Sequence, residues 1–239
     1  VQLRQMGFDR ISFGVQSFQE AELKALGRMH TVQQAKDAVC WAKDAGFARI
    51  NIDLMSGIPG QTAASWQDTL TQALRLDTEH ISAYSLILEV GTPLDALVAR
   101  GQTVLPTEDE TLRMYEMTTY ILEENGLRRY EISNYARPGC ESRHNLVYWH
   151  YDPYMAFGVG ACTFTGQVRY TNTTDVEMYL QYWENAERGC AAPVRGGNGL
   201  PLTQENVTFD DSQNLTIGNL SCRGAKTSMP DSGAASAQK

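Results

Sequence analysis

Cysteine is sparse in this chain. Five thiols occur in 239 residues, at Cys40, Cys140, Cys162, Cys190 and Cys222, and no two stand in C-x-x-C or C-x-x-x-C spacing. That scatter excludes a disulfide framework and any zinc or iron–sulfur site assembled from neighbouring cysteines. It points to a reduced, cytoplasmic setting in which the thiols are packing filler. Positive charge is also short: 20 Lys and Arg face 28 Asp and Glu, for a net charge of -8. Nonspecific nucleic-acid binding is thereby excluded. No run approaches the roughly 18 apolar residues of a transmembrane segment, and no secretory leader is visible. The Asn-x-Ser/Thr triplets at Asn206, Asn214 and Asn219 are therefore read as chance. No G-K-[ST] follows the glycine-bearing turns, so there is no phosphate loop. The first residue is not Met. Val1 to Gly7 reads as the end of a helix stopped by glycine, and the expectation is a fragment whose true N-terminus is missing.

What is present is an ordinary globular composition, 42% hydrophobic and 20% charged, with ample length for a core. Strands are expected over 10–16, 48–54, 80–88 and 128–133. Helices are expected over 19–26, 32–45, 63–76 and from a Thr107/Glu110 capping box to Asn125. Ala35, Ala38, Val39 and Ala42 form one helical stripe, and Trp66, Leu70, Ala73 and Leu74 form another. Strands alternating with helices at this spacing imply an α/β fold of parallel strands with right-handed crossovers, best met by a partial (β/α) barrel. An open doubly wound sheet is the alternative. In both, sites gather at the carboxyl ends of the strands.

Residues 1–134 are expected to form that core. Residues 135–155 read as a loop rich in Tyr, His and Arg, followed by a hairpin within 156–170. A helix over 174–187 then carries Val176, Tyr179, Leu180 and Trp183 on one face. These elements form an extension over 135–188. Residues 189–239, mostly Gly, Ser, Asn, Thr and Asp, read as a disordered or degenerate tail.

Two segments concentrate the chemistry: Arg10-Ile-Ser-Phe-Gly-Val-Gln-Ser-Phe18 and Arg49-Ile-Asn-Ile-Asp-Leu-Met-Ser-Gly-Ile-Pro-Gly-Gln-Thr62. In each, one strand face is apolar and the other carries small or polar groups. A strand that places Gln16 or Asp53 where a core would take Val is building a site. Asp53 can accept two hydrogen bonds from a ribose diol, or cap the turn that follows it. Gln16 occupies the matching place one βα unit earlier. Arg28, in Leu26-Gly-Arg-Met-His30, is a clamp for a ligand carboxylate or a surface cation. Thr62 is a helix cap.

These segments, with His80-Ile-Ser-Ala-Tyr-Ser-Leu86, resemble radical S-adenosylmethionine proteins of the oxygen-independent coproporphyrinogen oxidase group. Tyr130-Glu-Ile-Ser-Asn-Tyr-Ala-Arg-Pro-Gly-Cys-Glu-Ser-Arg-His-Asn-Leu-Val-Tyr-Trp149 narrows the likeness to the HemW branch, the heme chaperones. The likeness covers roughly 1–187. It implies a partial barrel that holds S-adenosylmethionine and a [4Fe–4S] cluster. Asp53 and Gln16 would serve the ribose side and Arg28 the methionine carboxylate. It also implies heme at His144-Asn-Leu-Val-Tyr-Trp149, transferred to heme-receiving proteins. His144 would be the axial ligand, Tyr148 and Trp149 would stack on the porphyrin, and Arg137 and Arg143 would meet its propionates. A loop packed on the barrel mouth, with His144 bonded to backbone, is the plain alternative.

The chain departs from the family in three places. The C-x-x-x-C-x-x-C run is absent and is expected upstream of Val1, so this chain is not expected to bind the cluster. Cys162 stands where many relatives have His. The tail after Gly189 lacks the family's helical C-terminal domain. The rival to the chaperone reading is an enzyme, an oxygen-independent coproporphyrinogen III dehydrogenase; enzyme status is left open.

Overall fold

The computed structural model describes residues 1–187 together with 207–209 and 215–217. The chain divides into two compact units, Val1–Leu146 and Val147–Lys239. After a short helix, α1 (Gln2–Gln5), the first unit runs β1 (Arg10–Gln16), α2 (Glu20–Ala25), α3 (Val32–Asp44), β2 (Arg49–Ser56), α4 (Ala63–Arg75) and β3 (His80–Ser85). Then come α5 (Pro93–Ala99), α6 (Glu108–Glu124), β4 (Arg128–Arg129) and β5 (Asn134–Ala136), before α7 (Arg143–Trp149).

The long helices begin where their caps dictate. Thr31 with Gln34, Thr62 with Ser65, and Thr107 with Glu110 each form a reciprocal capping box. α5 lay in a stretch with no clear periodicity. Thr92 caps it and Pro93 opens it, both local signals independent of apolar spacing.

β1, β2 and β3 pair in parallel in one five-stranded sheet of order β1-β2-β3-β5-β4. The expected fourth parallel strand over 128–133 is corrected. Only Arg128 and Arg129 run in that direction; the chain then folds back, and β5 pairs antiparallel with both β4 and β3. The reversal is short because an antiparallel return needs only a tight loop, whereas a parallel partner needs a crossover of about a dozen residues or more. Within that loop, the Ser133 carbonyl accepts from the Ala83 N–H at 2.8 Å, which locks β5 beside β3.

One sheet face is apolar. Val15, Ile50, Ile52, Leu54 and Ile81 bury against α3, α4 and α6 in a single core with Val39, Leu70, Met114 and Leu122. Trp66 on α4 is fully buried, and its indole N–H donates to Thr118 Oγ1 at 2.9 Å on α6. The same N–H reaches the Met114 carbonyl at 3.2 Å, so the indole ties α4 to α6. The other face carries a polar ladder, set by register. Ser12 stands beside Asn51, which stands beside His80; Gly14 stands beside Asp53, which stands beside Ser82; Met55 stands beside Tyr84.

In the second unit, β6 (Cys162–Phe164) and β7 (Arg169–Thr171) form the expected hairpin, extended by a bridge between Tyr154 and Phe164. α8 (Val176–Glu187) follows as expected. Its apolar side is less covered than its pattern suggests, with Val176, Leu180 and Trp183 all exposed; Tyr179 is half-buried and its hydroxyl accepts from the Gly158 N–H. Two three-residue strands, β8 (Val207–Phe209) and β9 (Leu215–Ile217), pair antiparallel. The remainder of the expected tail over 189–239, with Asn206, Asn214 and Asn219, lies outside the described residues.

Candidate functional site

The site begins with a β-bulge. β1 advances two residues, from Gly14 to Gln16, while β2 advances one, from Asp53 to Leu54. The bulge leaves Gln16 at φ 68°, a left-handed conformation that costs a non-glycine residue about 1–2 kcal/mol. It also turns the Gln16 amide onto the polar face, directly over Gly14. A Cβ at residue 14 would lie 3.1 Å from Gln16 Nε2, so glycine is what lets the amide lie flat on its own strand. Gln16 is 3% exposed, and its Oε1 accepts from the Tyr84 hydroxyl at 2.8 Å. Burial raises the Tyr84 pKa above the ordinary phenol value. The Gln16 bond opposes this, Asp53 reinforces it, and Arg28 opposes it. Tyr84 thus stands within electrostatic reach of both the carboxylate and the guanidinium.

Asp53 is half-buried on the adjacent strand. Its Oδ1 accepts from Asn51 Nδ2 at 2.7 Å, and its Oδ2 from the Ser12 hydroxyl at 3.2 Å. Those two protein donors fix the carboxylate plane. A carboxylate has about four acceptor positions, so two remain for a ligand. Arg28 is exposed in the loop after α2, and among the described residues its side chain makes no hydrogen bond. The loop is anchored by His30, whose Nε2 lies 3.2 Å from the Val15 carbonyl, one residue before Gln16.

The turn after β2 is pinned from both sides. Gln61 is 4% exposed; its Oε1 accepts from the Gly57 N–H at 2.7 Å and its Nε2 donates to buried Glu22 at 2.9 Å. Ser17 and Ser65 hydroxyls also donate to Glu22, so this carboxylate joins β1's exit, the turn and the first residues of α4. It is committed to structure. Sequence reasoning put Ser12 and Asn51 on the polar face without giving them a role, and it missed Tyr84 and Gln61. The two-residue alternation that exposes Gln16 and Asp53 marks Ser12 and Asn51 on their own strands, whereas Tyr84 stands on β3 and only strand register brings it to that face.

The second group of expected site residues lies on a helix, which corrects the expected loop over 135–155. Arg143–Trp149 is helical because Ser142 stands at its start and its hydroxyl accepts from the Asn145 N–H at 3.4 Å. His144 and Tyr148, four residues apart, share a helical face, and Trp149 lies about 140° round from His144. His144 is exposed; Tyr148 and Trp149 are 39% and 48% exposed. The Tyr148 ring meets Tyr154 edge-on at 4.6 Å. Arg137 is not held ready for an anion; it pairs with Asp77, beside the amino end of β3. Cys162 is half-buried with its thiol toward the Thr163 carbonyl.

The polar face fits a nucleoside with a diol and a carboxylate-bearing arm. Asp53 brings an oriented carboxylate with acceptor positions left, Gln16 and Tyr84 form an amide–hydroxyl edge, and Arg28 is an exposed cation. A [4Fe–4S] cluster finds no such fit. Among the described residues, no three His, Cys, Asp or Glu side chains converge where an ion would sit, and Cys40, Cys140 and Cys162 are separate free thiols.

The model of the Radical SAM superfamily matches residues 2–73. The heme chaperone HemW of Bacillus subtilis is 40% identical over 178 residues, which are 74% of this chain and 47% of that protein. The heme chaperone HemW of Lactococcus lactis is 43% identical over 173 residues, 72% of this chain and 46% of that protein. The chain therefore spans about half the length of the curated relatives it matches. Among solved structures, the radical SAM enzyme coproporphyrinogen III oxidase HemN from Escherichia coli aligns with a TM-score of 0.61 at 23% identity, covering 84% of this chain and 48% of that one. That likeness is one of fold.

Proposed function

From the premise that this chain is a radical SAM protein of the HemW type, we propose that it serves a heme chaperone, binding heme and passing it to recipient proteins in the cytoplasm. S-adenosylmethionine occupies the polar face at the ends of β1, β2 and β3. Asp53 accepts from the ribose hydroxyls, Gln16 and Tyr84 flank the nucleoside, and Arg28 meets the methionine carboxylate. A [4Fe–4S] cluster accompanies S-adenosylmethionine in radical SAM proteins, and together they would supply the redox chemistry. The described residues bind and orient the nucleoside, and no cluster of cysteines among them would hold the iron–sulfur group. Residues 1–134 form the core that holds the nucleoside, 135–188 the heme-associated extension, and 189–239 the tail.

One observation carries the nucleoside reading. Asp53 is oriented by Asn51 and Ser12 on its own face and retains acceptor capacity beyond them. A carboxylate serving only as a turn cap would accept from the backbone that follows it, and Asp53 accepts instead from two side chains on the sheet. The heme reading rests on α7, where His144 and Tyr148 share a face with Tyr148 and Trp149 partly exposed.

Hemin titration of the wild-type chain and of His144→Ala tests the heme assignment. The expected result is a Soret shift on binding that His144→Ala changes in position and weakens by about tenfold or more, since an axial bond is lost. An identical spectrum and affinity in the variant would remove His144 as a ligand.

A further inference from the structure

Asp53 is the end of a longer chain of hydrogen bonds than its own site requires. Asn51 donates to Asp53 through Nδ2, and its Oδ1 lies 2.5 Å from His80 Nδ1. His80 Nε2 lies 2.8 Å from the Tyr130 hydroxyl. The Tyr130 oxygen in turn receives the Ser142 N–H at 3.3 Å and Asn145 Nδ2 at 3.5 Å. Asn145 belongs to α7, next to His144.

The direction of every bond follows from one end. An ionised carboxylate only accepts, so the Asn51 atom facing it is the amide nitrogen, and the atom facing His80 is the carbonyl oxygen. The His80 Nδ1 must then carry a proton and donate it. For a neutral ring, Nε2 is bare and accepts from the Tyr130 hydroxyl, whose oxygen is left to accept from Ser142 and Asn145. His80 is neutral: its pKa falls to about 3, chiefly through burial, with Arg10 nearby disfavouring a second cation. Burial raises the Tyr130 pKa, which keeps its proton in place to donate. All the donors therefore point the same way, from the start of α7 to Asp53.

We propose that His80 and Tyr130 are positioning residues that couple occupancy at Asp53 to the amino-terminal end of α7. The inference rests on Asp53 as the nucleoside acceptor. A ligand diol that donates to the free acceptor positions of Asp53 draws on the same carboxylate charge, weakens the Asn51 bond and relaxes each bond behind it. Cooperative strengthening in such chains is about 10–30% per bond, so the signal is small at the far end. The readout must be local, and an overall affinity is too blunt.

The experiment is nuclear magnetic resonance on the ¹⁵N-labelled full chain. His80 is expected to show the Nδ1-protonated neutral tautomer. The Nε2-protonated tautomer would overturn the polarity outright, with no variant needed. S-adenosylmethionine is then titrated. The Asp53 and Ser142 amide resonances should move together in the wild-type chain, whereas in Tyr130→Phe Asp53 should still move and Ser142 should stay. If Asp53 moves alone in the wild-type chain, or if Ser142 moves equally in Tyr130→Phe, the coupling is wrong and the nucleoside site survives. If S-adenosylmethionine moves no resonance, the nucleoside reading fails. The ligand-free Asp53→Asn chain then decides the relay: loss of charge should shift the Ser142 amide proton upfield, and combining it with Tyr130→Phe should abolish that shift. A Ser142 resonance blind to Asp53→Asn would overturn the relay itself.

Discussion

At the residue scale, polar groups in this chain sit in places that cost something to fill. Gln16 holds a left-handed φ of 68° while 3% exposed, and His80 is 2% exposed within a sheet. Strain and buried polarity of this kind persist where surrounding bonds over-determine them, and here Tyr84 and Asn51 supply those bonds. The His80 environment has a consequence for stability. Its pKa is about 3 in the folded chain against 6.5 for the free side chain. The folded pKa lies below the unfolded one, so between these values the unfolded chain binds the extra proton. His80's contribution is therefore complete above pH 6.5 and is lost as pH falls toward 3, at up to about 1.4 kcal/mol per pH unit. Urea unfolding across that window should show a slope shallower by about one proton in His80→Gln than in the wild-type chain; equal slopes would mean that His80 titrates normally. Gln16 and Asp53 were legible from sequence because alternation alone exposes a polar side chain on an apolar strand. Tyr84 and His80 were not picked out, because Tyr and His in a strand are unremarkable until a partner strand places Gln16 or Asn51 beside them.

At the element scale, the helices were readable because their start signals are local. Thr31, Thr62 and Thr107 each cap the helix that the apolar spacing predicts. Thr62 has a wider role, since its capping partner Ser65 also donates to Glu22 at 2.6 Å and so ties α4 to the exit of β1. Thr62→Ala should destabilise the chain by about 1 kcal/mol, readable as a lower urea midpoint at unchanged slope; no change would mean that the cap is replaceable by water. The two misread segments share a cause. Residues 128–133 and 135–155 are decided by tertiary pairing, through the Ser133 carbonyl on Ala83 and through Tyr130 on His80 and Ser142. Neither pairing leaves a periodicity in the sequence. α7, at seven residues, is also too short to display one.

At the scale of the whole molecule, the parallel strands were legible as a βαβ rhythm. Their polar face was legible only in part, because register decides which residues become neighbours across β1, β2 and β3. That face is where the proposed nucleoside site lies. The helices α3, α4 and α6 cover the apolar side, and the opposite side presents Ser12, Asn51, Asp53 and Tyr84 as one surface. The relatives that share this framework are heme chaperones and are about twice as long as the matched segment. We propose that this surface holds S-adenosylmethionine through Asp53. Equilibrium dialysis of radiolabelled S-adenosylmethionine against the wild-type chain and Asp53→Ala tests it most directly. Hydrogen bonds to a charged group contribute about 1.5–3 kcal/mol, so saturable binding is expected for the wild-type chain, with a loss of roughly 10- to 100-fold in the variant. Equal binding by both chains, or none that saturates in the wild-type chain, would contradict it.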